Sequence, residues 1–149
     1  MKVIWVSPLT CLFVAIISMV LLHLLLPFWI VVPTPWNLFG TVPLTTGIAF
    51  NLIADRIFRQ RGTTVKPFAR SSALVTTGVF KISRHPMYLG MVLILLGITI
   101  LLGSLTPLTV VVIFFVLVEH IFIRKEERML EEQFGEAWLT YTKKVRKWI

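Results

Sequence analysis

The 149-residue chain is 56% hydrophobic, with a mean hydropathy of +0.85, and carries 15 Lys and Arg against seven Asp and Glu for a net charge of +8. Apolar segments with short connections make one membrane-embedded domain and leave no room for a second, soluble one. The basic residues fall only at Lys2, between Arg56 and Arg84, and from Arg124 onward. There they face anionic headgroups, and without stacking aromatics or a soluble basic face nucleic acid is excluded as a partner.

The first apolar segment reads as a helix over about residues 8–32. Its apolar run is too long for a cleaved signal peptide and lacks a small-residue cleavage pattern, so it is expected to stay as an anchor. Cys11, the sole cysteine, makes no intramolecular disulfide and no thiolate metal cluster; it is read as a packing or lipid-facing residue, and no metal is expected. His23, placed mid-membrane, is expected to be neutral and to make one helix–helix hydrogen bond. Pro33, Pro35 and Trp36 separate this segment from a second helix over about residues 38–58. Asn51 and Asp55 lie one turn apart there, beside Arg56 and Arg59, and predict a structural ion pair at the helix end.

A connection over residues 59–84, rich in Gly, Ser and Thr, reads as an ordered functional loop. Two further helices, about 86–102 and 107–126, are joined by Gly103-Ser104-Leu105-Thr106-Pro107 as a hairpin. The distribution of Lys and Arg puts both termini and the middle loop in the cytoplasm, on the inner membrane. Residues 127–149 first prolong the fourth helix and then, after a break at Gly135, form an amphipathic interfacial helix. Trp138 and Trp148 are read as surface anchors. The expected fold is all-α: about four transmembrane helices plus this C-terminal helix.

Both charged clusters, Arg84-His85-Pro86-Met87-Tyr88 and Arg124-Lys125-Glu126-Glu127, return to the same open end of the hairpin. Pro86 suits the first turn of a helix, whose free N–H groups attract anions, and Arg84 adds to that pull. His85 and Tyr88 share this turn. Gly90 and Gly97 permit close approach of another helix or of a ligand. Glu119 and His120 lie one turn above Arg124, where structural and functional roles are both open.

The runs Gly62-Thr63-Thr64-Val65-Lys66-Pro67, Leu74 to Gly90, and Arg124-Lys125-Glu126-Glu127 with Phe134-Gly135 and Tyr141 resemble the integral-membrane methyltransferases of the isoprenylcysteine carboxyl methyltransferase and phospholipid N-methyltransferase group. The resemblance implies S-adenosylmethionine as methyl donor, capped by the C-terminal segment. It places Gly78, His85, Tyr88, Leu89, Gly97, Glu126 and Glu127 at the cofactor and Arg124 near a substrate-orienting arginine. The implied acceptor is lipophilic or lipidated, and an amine or phenol would need a base, with His85 or Glu119 the first suspects. The glycine-rich strand–turn–helix of soluble methyltransferases is missing. Two rivals remain: a membrane reductase of the sterol type using NAD(P)H, with Arg56, Arg59 and Arg61 toward its phosphate, and a non-enzymatic scaffold.

Overall fold

The computed structural model describes residues 7–26, 29–62 and 73–149, so Thr63 to Pro67 of the first motif lie outside the described residues. Helix α1, Pro8–Leu25, starts with the Ser7 side chain accepting from the Thr10 N–H. It stops well short of residue 32, because Leu26 precedes Pro27 and leaves the helical region, at φ −136° and ψ 70°. A 3₁₀ turn, Trp36–Gly40, leads into α2, Thr41–Gln60. Helix α3, Pro86–Leu102, is followed by α4, Thr106–Leu117; a π-helical turn, Val118–Ile123; and α5, Arg124–Phe134. Helix α6, Glu136–Lys144, follows Gly135. At φ 49° and ψ −119°, Gly135 has a backbone that a side chain would not tolerate, which makes it the break between α5 and α6.

Among the described residues three helices are long and apolar enough to cross a bilayer: Pro8–Leu25, Trp36–Gln60 and the unbroken Thr106–Phe134. Helix α3, with 17 residues, is shorter but lies at the centre, against α2 on one side and α1 and α4 on the other. Its buried residues Tyr88, Met91, Val92 and Leu95 join Leu12, Ala15 and Met19 of α1 and Val110, Val111, Phe114 and Val118 in one core, with Cys11 packed at its margin. The opposite faces of α1, of the 3₁₀ turn and of α2 expose Phe13, Ile17, Leu24, Phe39, Val42 and Leu52, the pattern of helices solvated by lipid.

The α2–α3 contact is a glycine seam. Gly40 faces Gly97 and Gly47 faces Gly90, in antiparallel register with one heptad between members on each strand of the seam. A Cβ on Gly97 would stand 2.6 Å from both the Gly40 carbonyl oxygen and the Leu44 nitrogen. Gly97 is therefore spent on helix packing; it also lies twelve residues, about 18 Å along the axis, from His85. The structure thus places Gly97 in the α2–α3 seam, well along α3 from His85.

The far end of the hairpin is closed by the connector before the 3₁₀ turn. The Val31 and Val32 N–H groups donate to the Gly103 carbonyl at 2.8 and 3.2 Å. His23 occupies the last turn of α1, not mid-membrane, and its Nδ1 pairs with the Ser104 hydroxyl at 2.7 Å. The expected hydrogen bond is thus made to the loop between α3 and α4 and not to another helix. Asp55 and Arg59 form the predicted i,i+4 pair at 2.8 Å, mostly exposed and so of little energetic weight.

Candidate active site

At the opposite end of the hairpin the chain turns sharply into α3. The 3₁₀ turn Gly78–Lys81 packs Val79 and Phe80 against Ala54 and Ile57 of α2, with Phe58 meeting Phe80 edge-on at 5.0 Å. Ser83 is fully buried, and its hydroxyl oxygen accepts from the His85 N–H at 3.1 Å. His85 is the residue before Pro86 and sits just outside the helix, at φ −124° and ψ 61°. Its ring thereby turns inward, 3% exposed, with Tyr88 one turn on and its ring centre 5.9 Å away.

The π-helical turn supplies the other wall. Its wider winding, closed by the Arg124 N–H donating to the Glu119 carbonyl, keeps Val118, Phe122 and Ile123 buried. It then delivers Glu126 and Glu127 to the imidazole. His85 Nε2 lies 3.4 Å from Glu127 Oε1, and Nδ1 lies 3.8 Å from Glu126 Oε2. The Tyr88 hydroxyl lies near the Glu126 carboxylate and feels its charge, and its ring lies 6.3 Å from that of Phe122. A carboxylate only accepts, so the contact with Glu127 calls for a proton on Nε2, while Nδ1 faces Glu126.

The two glutamates differ in what they hold. Glu127 receives Arg84 Nη2 at 2.6 Å, His85 Nε2, and Lys147 Nζ at 3.1 Å. Among the described residues Glu126 faces the His85 ring and the Tyr88 hydroxyl, and its side chain is one-third exposed. Two cations, Arg84 and Lys147, meet three carboxylates, Glu119, Glu126 and Glu127. The surplus negative charge sits on Glu126. This donor set suits a cationic ligand that brings its own hydrogen-bond donors.

The C-terminal part of the chain caps this cluster. The Tyr141 hydroxyl donates to the Phe80 carbonyl at 2.5 Å, and Trp138 lies under the Arg84 guanidinium at 5.5 Å. Trp138 is 3% exposed, and Trp148 stacks on Phe115 at 4.6 Å. Neither is a surface anchor: helix α6 turns its apolar face onto the 80–84 turn, and Trp148 lies along α4. Beside Tyr141, α6 and the 74–81 segment border an open groove of about 770 Å³ whose walls include Leu74, Lys81 and Lys144.

Burial pushes the Tyr141 hydroxyl up to about 12, although the nearby Arg84 acts in the other direction. Tyr141 therefore remains a proton donor to Phe80 until the pH approaches that value. The tether contributes about 1 kcal/mol. Tyr141→Phe should lower the thermal midpoint by a few degrees at pH 6, 7 and 9 alike, measured by unfolding in detergent.

Of the residues singled out in the sequence, the fold gathers His85, Tyr88, Glu126 and Glu127. Leu89 is buried on the next turn of α3. Gly78, at φ 63°, lies against Ile57 of α2, where a Cβ would come within 2.6 Å of the Ile57 Cδ1, and its contact is with α2, not with the carboxylates. Glu119 is engaged by Lys147 at 2.8 Å and by Trp148 Nε1 at 3.3 Å, and so is held as an ion-pair partner at the edge of the cluster. His120 is exposed on the other side of its helix, bonded to the Val116 carbonyl. Arg124 is exposed at the start of α5, outside the cluster. Sequence reasoning missed Lys147, whose only signal was membership in a basic tail, and it did not give Arg84 its role as a partner of Glu127.

An all-α membrane fold with an imidazole, a phenol and an acidic pair at the open end of its hairpin defines a class of intramembrane enzyme. The phospholipid methyltransferase family model matches residues 36–137, and the chain belongs to that family. An uncharacterized protein of Haemophilus influenzae is 40% identical over 63 residues, covering 42% of this chain and all of that protein. The protein-S-isoprenylcysteine O-methyltransferase of Saccharomyces cerevisiae is 43% identical over 74 residues, which are 48% of this chain and 30% of the yeast enzyme. A solved eukaryotic isoprenylcysteine carboxyl methyltransferase, an intramembrane Ras methyltransferase, shares the fold with a TM-score of 0.67 at 22% identity, over 93% of this chain and 50% of that one. The chain thus spans a third to a half of these two longer enzymes.

Proposed function

We propose that the chain transfers a methyl group from S-adenosylmethionine to a lipophilic acceptor at the cytoplasmic face of the membrane. The observation that carries this reading is Glu126 beside His85 and Tyr88, with no Lys or Arg on its carboxylate among the described residues. S-adenosylmethionine carries a sulfonium and an ammonium against one carboxylate, so its net charge complements the surplus on Glu126. A nicotinamide dinucleotide is polyanionic, and at this mouth both paired cations are already taken by Glu119 and Glu127. The reductase reading is therefore the weaker one.

When bound, S-adenosylmethionine supplies a methyl group on a positively charged sulfur, open to in-line displacement. The chain's own contribution is positioning and exclusion of water. Glu126 holds the cationic end, and the Tyr88 and Phe122 rings form an aromatic wall beside it. Arg84 fixes Glu127, which holds Nε2–H of His85 and leaves Nδ1 to take a proton from an amine or phenol acceptor. A carboxylate or thiolate needs no such transfer. The named yeast relative acts on isoprenylcysteine and the family name points to phospholipids, so a lipidated carboxylate and a phospholipid amine are the first acceptors to offer.

The test is incubation of purified protein with S-adenosylmethionine labelled in the methyl group and a membrane lipid extract. Label should move into the organic phase only with active protein, and the His85→Ala variant should be silent toward an amine or phenol acceptor. Absence of transfer to lipid extract and to a prenylated cysteine alike would remove the reading.

A further inference from the structure

Residues 145–148 run as a bent strap beyond α6, with Val145 leaving the helix at φ −126° and ψ 129°. Its backbone is tied to the turn before α3: the Arg84 N–H donates to the Arg146 carbonyl at 3.1 Å and the Ser83 hydroxyl to the Lys147 carbonyl at 3.0 Å. The Lys147 side chain enters between α5 and the π-helical turn, with its ammonium 2.8 Å from Glu119 Oε1 and 3.1 Å from Glu127 Oε2. Trp148 beyond it stacks on Phe115 and donates to Glu119 Oε2.

We propose that Lys147 is a positioning residue: by holding Glu127 Oε2 it locks that carboxylate against His85 and so sets the imidazole tautomer presented to the methyl donor. The proposal rests on the donor-binding reading above. Glu127 is held at both oxygens, Oε1 by Arg84 and His85, Oε2 by Lys147. A carboxylate anchored at both oxygens does not rotate, and its partner His85 keeps the proton on Nε2. Without Lys147, Oε2 is released, the carboxylate turns about its last bond, and Nε2 and Nδ1 become near-equivalent in their access to the two glutamates. Burial opposes the Lys147 charge, but Glu119 and Glu127 outweigh it and raise the group above the ordinary lysine value. The contact is thus complete at neutral pH and fades only as the pH rises through that elevated value.

The experiment uses the full chain in detergent, with S-adenosylmethionine affinity and the ¹⁵N shifts of the His85 ring as readouts. Lys147→Met should weaken binding by about tenfold and convert a single Nε2–H tautomer into a mixture; Lys147→Arg should restore both. Adding Glu119→Gln to Lys147→Met removes the carboxylate left without a cation. It should recover thermal stability while affinity and ring shifts stay altered. Unchanged shifts and affinity in Lys147→Met, or their full return with Glu119→Gln, would overturn the proposal in favour of a merely structural strap. If the wild-type protein binds no S-adenosylmethionine, the donor reading fails by itself, and the ring shifts still decide whether Lys147 governs His85.

Discussion

Glu126→Gln should lower affinity for S-adenosylmethionine by about ten- to hundredfold, the range for losing a charge-assisted hydrogen bond of about 1.5–3 kcal/mol. Among the described residues Glu126 is the acid in the cluster without a Lys or Arg on it, which leaves its charge to a ligand. S-adenosylhomocysteine lacks the sulfonium charge and should lose less than S-adenosylmethionine in the same variant. Glu127→Gln should behave differently. Its partners Arg84 and Lys147 are mostly buried, and leaving them uncompensated should cost about 3 kcal/mol of stability, the low end for pairs that keep some contact with solvent. Calorimetric titration and thermal unfolding of both variants separate the two roles: Glu126→Gln should fold normally and bind poorly, whereas Glu127→Gln should unfold early.

Gly97→Val is the second large effect, and it falls on the fold. Helix α2 is held mainly by α3, and at this point the two backbones meet without side chains between them. A Cβ on Gly97 would collide with the backbone of Gly40 and Leu44, which has no rotamer by which to escape, so α2 must move away. Overpacking of this kind costs about 1–3 kcal/mol or more, and loss of the close seam adds to it. The variant should show a thermal midpoint lower by many degrees, while the fraction still folded binds S-adenosylmethionine at nearly wild-type strength. Lost affinity with unchanged stability would return Gly97 to the cofactor pocket.

The sequence made the architecture readable wherever a physical rule is local. Apolar length marked the helices, Gly103 to Pro107 marked the hairpin turn, and Gly135 marked the break before α6. It overran α1 by several residues because Val31 and Val32 are apolar yet belong to a connector that pairs with Gly103, a partner distant in the chain. The first-turn pair His85 and Tyr88 and the adjacent glutamates were legible as a site because their spacing places them on single helical turns. Their division of labour was not, since it depends on Arg84 and Lys147 reaching Glu127 from two other parts of the chain. Likewise Gly97 reads as permissive from sequence, and only its register against Gly40 shows that a helix occupies the space. Trp138 followed the rhythm of an interfacial helix, but periodicity does not say whether the apolar face meets lipid or protein; here it meets Arg84.

The central claim is that His85, Tyr88 and Glu126 form a seat for a cationic methyl donor. Equilibrium binding of labelled S-adenosylmethionine to the purified wild-type protein tests it most directly, with S-adenosylhomocysteine and NADPH as competitors. Saturable binding displaced by S-adenosylhomocysteine and untouched by NADPH is the expected result. Absence of saturable binding, or displacement by NADPH at similar concentration, would contradict the account.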